Sequence, residues 1–517
     1  MRQFLLISSL FILSQFAQAQ IENHNRYELE YEWRDEDYLL ISNEKLGLTL
    51  VQADYSGLKE YTLSIKQLDI DFNQKWERVV MIKRGFELLG YHSVHDKTYL
   101  MLQEFPSRLK IKIISIDNRT GDVEEFNPKE VLELDIQEFE IIQNTAVIGG
   151  YFESRPVVFA LNLENDKIQA LSNVYQNESK LIEVRINSDS LTFNVLASKY
   201  NKNRDQTIMV NTYDYLGNSI RDYELETKKD YHLTSAISSS INDISQVIVG
   251  IYSYKATNSP AGLFVNHVDR TGLQTMKYYG FGELEHFFSY LGEKKSKRYR
   301  EKAESAKSKG REVRYRVQPL FSEMIEDEDQ LIVFGEFLRS YSHDSNNIGW
   351  AGTNYPTGFR NRNEDFNGYN DTPHQKESFQ FTHAYTLVLD KKGNIQWDDW
   401  VEVPQEGKGS PEPFGGFIWD KDKGMYAYYF ETEVYGKLMN SQEDNEVVVD
   451  NLELGDPQDK LRYENENSSG TLKWYDNYFI VYGVQSIHSG ESNGDLRKVF
   501  FINKISLNPN QKGNGSD

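Results

Sequence analysis

The sequence predicts an all-β fold: a single β-propeller of eight four-stranded antiparallel blades, or seven if one repeat is miscounted, with a helical insertion. A repeated apolar strand, a repeated turn and an incomplete last repeat lead to this prediction. Most repeats are spaced by about 50 residues, which is typical of propeller blades and related arrays. The repeated strands begin at Leu46, Tyr99, Ala146, Leu191, Gln246, Gln330, Met425 and Tyr478.

The most legible repeat runs from Gln330 to Val403. It contains three strands with the sequences QLIVFGEFLRS, HAYTLVLD and IQWDDWVEV. A long polar loop separates the first two strands, and the turn KKGN separates the last two. Apolar segments joined by short turns predict antiparallel strands. The first repeat has the same character, with four strands in succession between Tyr38 and Ile82.

A turn with the pattern Asp-x-x-Gly recurs between the predicted third and fourth strands. An Asp or Asn side chain closes such a turn by hydrogen bonding, and Gly accepts a positive φ at little cost. The pattern therefore marks hairpins and not chemistry. Its members are Asp214 with Gly217, Asp269 with Gly272, Asp390 with Gly393 and, in a shifted form, Asn118 with Gly121.

The last repeat lacks a fourth strand of its own, because a polar, Gly-rich segment follows Leu507. Near the N-terminus, RYELEYEW (26–33) alternates between apolar and polar residues, as a half-buried strand does. We expect this segment to complete the last blade. Closing the repeats into a ring removes the need for the capping repeats of a linear stack.

Residues 1–19 have the pattern of a secretory signal peptide, with Arg2, an apolar stretch and the cleavage motif Ala17-Gln18-Ala19. We therefore expect an exported protein in the periplasm, at the cell surface or outside the cell. No later run of about 18 apolar residues predicts a transmembrane segment. We assign 20–507 to the propeller and 508–517 to a polar, flexible tail.

Composition excludes several classes of function. The chain has 57 basic and 79 acidic residues, a net charge of −22, which argues against nucleic acid as a general partner. It has no cysteine, so disulfides and a thiolate nucleophile are excluded. The sequence contains neither the H-E-x-x-H motif nor the P-loop motif, and we predict no cofactor and no metal.

The first insertion, residues 287–316, links the fifth and sixth repeats. Its Glu, Lys and Ala content predicts a helix up to Gly310. From Glu293 to Arg316 it contains eleven basic and four acidic residues, which suits an anion-binding or partner-docking arm. A solvated helix, partly balanced by the acidic residues of 323–329, is the alternative. The candidate binding residues are Lys297, Arg298 and Arg300.

The second insertion, residues 341–379, separates the second and third strands of the sixth repeat and is rich in Asn, Gly and aromatic residues. Long loops of this kind are often functional. Its aromatic rings suit stacking on sugars or contact with a protein, and its acids and histidines suit hydrogen bonding, acid/base chemistry or metal binding. A loop that only covers its blade is the alternative. The candidates are Trp350, Tyr355, Phe359, Tyr369, His343, Asp344, Asp365 and His374.

Other charged patterns have simpler explanations. The segment Asp420 to Gly424 has half of a calcium-loop pattern, but it lacks the remaining oxygen ligands at the required spacing. Asp398 and Asp399 are neighbours on one strand, so their side chains point to opposite faces and cannot form a catalytic dyad.

Because antiparallel strands reverse direction each time, both insertions should emerge on one face of the ring.

The hairpin LDKKGNIQW (389–397) resembles the Asp-x-x-Gly hairpins of secreted β-propellers in the broad WD40-like, kelch-like and PQQ-like superfamily. The resemblance covers most of the mature chain and implies the fold. Asp390 and Gly393 are one position too far apart for an Asp-box, and WD dipeptides do not occur at a fixed position of the repeats. No functional residue is transferred from the superfamily.

The sequence supports three hypotheses for function. The first is a non-catalytic binding or interaction module whose protein or glycan partner binds the face with the two insertions. The alternative is a carbohydrate-active hydrolase or lyase with acids or histidines near the central channel, which predicts a pocket with convergent acids. A structural subunit of an envelope assembly would instead expose a large apolar patch.

Overall fold

The computed structural model describes the chain from residue 19 to residue 509 with several gaps. Within these residues, no helix has the length and apolar character needed to cross a membrane. The gaps are 32–37, 95, 130–132, 242–244, 255–258, 310–312, 314, 342–377, 405–406, 409–412, 422, 442–444 and 491–495.

The described residues form eight antiparallel sheets, each a blade. The N-terminal strand is β1 (Ala19–Glu30). Blade 1 contains β2 (Leu39–Ser42), β3 (Leu48–Asp54), β4 (Glu60–Leu68) and β5 (Gln74–Lys83). Blade 2 contains β6 (Phe86–Val94), β7 (Lys97–Glu104), β8 (Ile111–Asp117) and β9 (Val123–Phe126). Blade 3 contains β10 (Asp135–Ile142), β11 (Thr145–Phe152), β12 (Arg155–Asn162) and β13 (Ile168–Ala170). Blade 4 contains β14 (Lys180–Asn187), β15 (Thr192–Tyr200), β16 (Gln206–Asp214) and β17 (Ser219–Glu224).

The remaining blades include the insertions and the ring closure. Blade 5 contains β18 (Tyr231–Ser238), β19 (Gln246–Tyr254), β20 (Pro260–Val268) and β21 (Gln274–Gly280). Helix α1 (Glu293–Ser308) follows it. Blade 6 contains β22 (Gln318–Asp327), β23 (Gln330–Tyr341), β24 (Ser378–Asp390), β25 (Ile395–Glu402) and the short β26 (Gly407–Lys408). Blade 7 contains β27 (Gly416–Asp420), β28 (Lys423–Phe430), β29 (Glu433–Met439) and β30 (Val448–Asn451). Blade 8 contains β31 (Lys460–Lys473), β32 (Tyr478–His488) and β33 (Leu496–Pro509) together with β1.

The prediction of a propeller with a helical insertion is confirmed, and the count is eight blades. Each of the eight repeated apolar strands is the second strand of a blade. These strands could be recognised in the sequence because they are buried on both faces and are therefore apolar along their length. In β15, for example, the seven residues from Thr192 to Ser198 are buried.

The ring is closed by packing as well as by strand pairing. The first strands of neighbouring blades contact one another, as β14 and β18 do, so they surround the axis. The described residues form eight apolar clusters, one for each interface between adjacent blades. The cluster between blades 8 and 1 brings Leu40 and Leu50 against Ile480 and Phe500. An open rod of repeats would lack this interface.

Strand β1 is the outer strand of blade 8, as the incomplete last repeat predicts. It pairs antiparallel with β33, and Tyr27 lies opposite Ile502. Arg26 links the two termini further, because its guanidinium donates hydrogen bonds to Gln485 and Asn503 at 2.9 and 2.8 Å. A hydrogen bond of 3.1 Å from the Trp474 indole to the Gly47 carbonyl joins blade 8 to blade 1.

The hairpin turns have the expected chemistry with one difference. In blade 6, Asp390 accepts hydrogen bonds from the backbone of Lys392 and Asn394, and Gly393 has a φ of 73°. In blade 2 the turn is closed by Asp117, and Asn118 instead is buried and hydrogen-bonds Thr98. The Asn118 assignment was therefore wrong by one residue, although its partner glycine was correct.

Candidate functional site

Both insertions leave the propeller on the same face. Gln318, the first residue of β22, pairs with Leu338 near the end of β23. Tyr341, the last residue of β23, pairs with Ser378. The first insertion therefore ends at the start of β22, and the second insertion begins at the end of β23. These two strand ends are neighbours on the same face.

Helix α1 packs on the propeller with one of its faces. The ring of Tyr299 contacts Phe288, with 5.4 Å between their centroids, and Phe288 belongs to the buried cluster between blades 5 and 6. Near the helix end, Lys307 forms a 2.8 Å ion pair with Glu283. Ser296 is buried on the same side. The helix is thus fixed to the ring along its length.

The opposite face of α1 is basic and exposed. Lys294, Arg298 and Lys302 are spaced by four residues, so with 3.6 residues per turn they form one stripe, which Lys295 widens. All four side chains are exposed. None of the described residues forms an ion pair or hydrogen bond with these side chains. Their charge is therefore available to a partner.

The other predicted binding residues have different positions. Lys297 is exposed at the edge of the stripe. Arg300 is half-buried and donates a hydrogen bond to the carbonyl of Glu285, so it faces the propeller and not the solvent. Eight candidates lie outside the described residues: Trp350, Tyr355, Phe359, Tyr369, His343, Asp344, Asp365 and His374.

A histidine and an aspartate hold the start of the first insertion against blade 6. The His286 ring Nδ1 lies 3.1 Å from Asp398 Oδ1, and the His286 backbone N–H donates to Asp398 Oδ2. The hydrogen bond that the His286 ring donates to Asp398 raises the pKa of His286. Burial raises the pKa of Asp398, but hydrogen bonds from His286 and Tyr385 outweigh it and hold that pKa below its usual value.

The neighbouring Asp399 points to the other side of β25, as expected for adjacent residues of a strand. It forms a 2.8 Å ion pair with Lys437 of blade 7, and both side chains are at most 6% exposed. Burial raises the pKa of Asp399, although Lys437 opposes this effect. Asp398 and Asp399 therefore serve two different interfaces and do not form a catalytic pair.

A buried histidine lies under the same insertion. The His383 ring on β24 stacks between Phe337 and Tyr290, with centroid distances of 4.9 and 4.4 Å. Burial, with a smaller contribution from Arg339, lowers the pKa of His383 to about 3. A neutral, enclosed imidazole of this kind packs like an aromatic ring and anchors Tyr290 of the insertion.

Two buried acids lie on the inner strands near the axis. Glu138 on β10 and Glu183 on β14 are 5% and 4% exposed. Burial raises the pKa of both, that of Glu183 to about 7. Glu183 accepts hydrogen bonds from the hydroxyl and the backbone N–H of Ser238 in blade 5. These acids are enclosed between blades, so a substrate in the channel would have almost no access to them.

The outer surface shows a groove of 440 Å³ between blades 1 and 2. Val79 and Met81 of β5 are exposed on it, but Arg78, Asp122 and Glu125 also line it. This groove is therefore mixed in polarity.

Neither a protein family nor a curated protein matches the sequence. Among solved structures, the chain is similar to the quinohemoprotein alcohol dehydrogenase ADHIIG from Pseudomonas putida HK5, with 10% identity, coverage of 95% of this chain and 77% of that chain, and a TM-score of 0.40. It is also similar to the polysaccharide lyase Uly1, with 7% identity, coverage of 94% and 100%, and a TM-score of 0.38. The propeller of Dos1 shares 8% identity over 81% and 92% of the two chains, with a TM-score of 0.36. The assignment of eight blades comes from the strand pairing of this chain itself.

Proposed function

We propose that this protein is an exported, non-catalytic binding module that recognises a polyanionic glycan on the face from which the two insertions emerge. The observation that carries the proposal is the exposed basic stripe of α1, formed by Lys294, Lys295, Arg298 and Lys302. In a chain with a net charge of −22, a cationic surface without acidic partners among the described residues is a distinctive local feature.

The stripe suits a glycan better than a lipid surface. Helices that lie in a membrane interface bury an apolar face in the lipid. In α1 the face with buried residues is turned to the propeller, and the exposed face carries charges. Tyr299, which contacts Phe288, lies at the border between the packed face and the stripe and is still 38% exposed, so its ring can also contact a sugar. Cations beside an aromatic ring favour a carboxylated or sulfated sugar chain.

Binding to immobilised polygalacturonate, with neutral dextran as the comparison ligand, tests the proposal. We expect salt-sensitive binding to polygalacturonate and none to dextran, because exposed charges are screened by salt. The variant Lys294→Glu/Arg298→Glu/Lys302→Glu should lose the binding. Its melting temperature should stay close to that of the wild type, since the three side chains are exposed and form no hydrogen bond or ion pair with other described residues.

A matched control makes the same change of charge on the opposite face. Lys167, Arg270 and Lys421 are exposed in turns on that face, and their replacement by Glu should leave binding unchanged. Absence of binding by the wild type contradicts the proposal. Equal loss in both triple variants would show that overall charge, and not the stripe, controls retention, and would also contradict it.

The second insertion has its own test. Because Tyr341 and Ser378 pair directly, a two-residue Asn-Gly turn can join β23 to β24 in place of residues 342–377. We expect this variant to fold and to bind the glycan more weakly, since the insertion leaves the ring beside α1. Unchanged affinity would show that the basic stripe acts without it.

A further inference from the structure

Three potential metal ligands converge where the first insertion meets blade 6. They are Glu285, His286 and Asp398, and their ligand atoms all lie within 4.8 Å of one another. Across the part of the chain that the structure describes, this is the one group of three or more such residues with this proximity. Two of the residues precede α1 and the third lies on β25.

The spacing between His286 and Asp398 fits a small cation. His286 Nδ1 lies 3.1 Å from Asp398 Oδ1 and 2.9 Å from the carbonyl oxygen of Asp398. Two ligands bound at about 2.0–2.1 Å in a tetrahedral zinc site are about 3.3 Å apart. An ion can therefore take the place of the proton between these atoms with a small adjustment of the side chains.

The surroundings hold the ligands in place and leave them accessible. Asp398 Oδ2 accepts hydrogen bonds from the Tyr385 hydroxyl and the His286 backbone, which orients the carboxylate and leaves Oδ1 for an ion. The Asp398 side chain is 4% exposed, whereas that of His286 is 32% exposed. Glu285 is exposed as well, so an ion can enter from the solvent side.

The ligand set and charge select the type of metal. One imidazole with two carboxylates is a set that Zn²⁺ uses, whereas Ca²⁺ and Mg²⁺ prefer oxygen ligands alone. The guanidinium of Arg300, which donates to the Glu285 carbonyl, is a nearby positive charge. Two carboxylates outweigh it, so the site remains attractive to a cation.

We propose that Glu285, His286 and Asp398 bind one zinc ion, which ties the chain leading into α1 to blade 6. The site is separate from the basic stripe, and its existence does not depend on a glycan partner. Binding displaces the proton from His286 Nδ1, so affinity should fall as the pH decreases.

Titration of the metal-free full-length protein with ZnCl₂ by isothermal calorimetry tests the site. We expect one equivalent to bind and the melting temperature to rise with zinc concentration. His286→Gln should weaken binding at least about 100-fold, since even supporting residues around a metal account for 10- to 100-fold. Glu285→Gln should also weaken zinc binding. Because Glu285 is exposed, this variant should fold normally.

His92→Gln is the matched control. His92 lies 2.5 Å from Glu140 in a similar pair, but it is not part of a three-ligand group among the described residues. This variant should bind zinc like the wild type. The variant that lacks residues 342–377 should also retain one equivalent, which excludes His343 and His374 as the ligands. Absence of binding, binding that survives His286→Gln, or loss of binding in either control would overturn the proposal.

Discussion

The buried carboxyl group of Glu183 should make the stability of the propeller depend on pH. Its pKa is raised from 4.5 to about 7 because burial disfavours the charged form. Between these values the native protein keeps the proton while the unfolded chain loses it. The free energy of unfolding must therefore fall as the pH rises from about 4.5 to about 7, and it stays at the lower value above that range.

The magnitude follows from the size of the interval. An interval of about 2.5 pH units at about 1.36 kcal/mol each gives a loss of about 3 kcal/mol from this one group. Glu183→Gln removes the ionisation and keeps an oxygen that can accept the hydrogen bond from Ser238. We expect wild type and variant to have similar stability near pH 4.5. By pH 8 the variant should be more stable by up to about 3 kcal/mol.

Urea denaturation at several pH values, followed by circular dichroism, measures this difference. Glu124→Gln removes an exposed carboxylate from an outer strand and serves as the control for the change in net charge. Its stability should run parallel to that of the wild type. If Glu183→Gln also runs parallel to the wild type between pH 4.5 and 8, the Glu183 carboxyl does not titrate in the way its burial implies.

Three further changes have defined outcomes. Lys437→Met should reduce the free energy of unfolding, measured by urea denaturation, by about 3–5 kcal/mol because it leaves Asp399 buried and unpaired. Adding Asp399→Leu in the same chain should restore most of that loss. Gly393→Ala should lower the melting temperature more than Gly272→Ala does: both glycines have positive φ, but only at Gly393 would the new Cβ lie 2.5 Å from another side chain. Removing strand β1 should lower the melting temperature, and a synthetic β1 peptide should raise it again if pairing with β33 closes the ring.

The parts of the fold that sequence predicts best are those with a local signal. The second strand of every blade has a long apolar run, and turns such as that of Asp390 and Gly393 combine an acceptor with a glycine. The corresponding turn of blade 1 escapes the pattern because Phe72, with a φ of 66°, takes the place of the glycine. Its closing acceptor is Asp69, which hydrogen-bonds the backbone of Asn73.

The site depends on contacts that no local pattern contains. His286 and Asp398 are 112 residues apart, and nothing in either segment indicates that they meet. Glu138 and Glu183 each follow a bulge in an inner strand, which shifts the pairing by one residue. Alternation in the sequence gives no sign of such a shift. The sequence showed the basic character of α1. That the Arg300 side chain points toward the propeller became known only from the packing of the helix.

The partnership of β1 with β33 also governs when the molecule can finish folding. His24 and Ser506, which touch across these strands, are 482 residues apart. The first strand of the described chain therefore cannot pair until the last strand has been synthesised. Until then, blade 8 exposes a long strand edge open to other chains. Nascent or truncated forms without β33 should therefore be the ones that aggregate or need a chaperone.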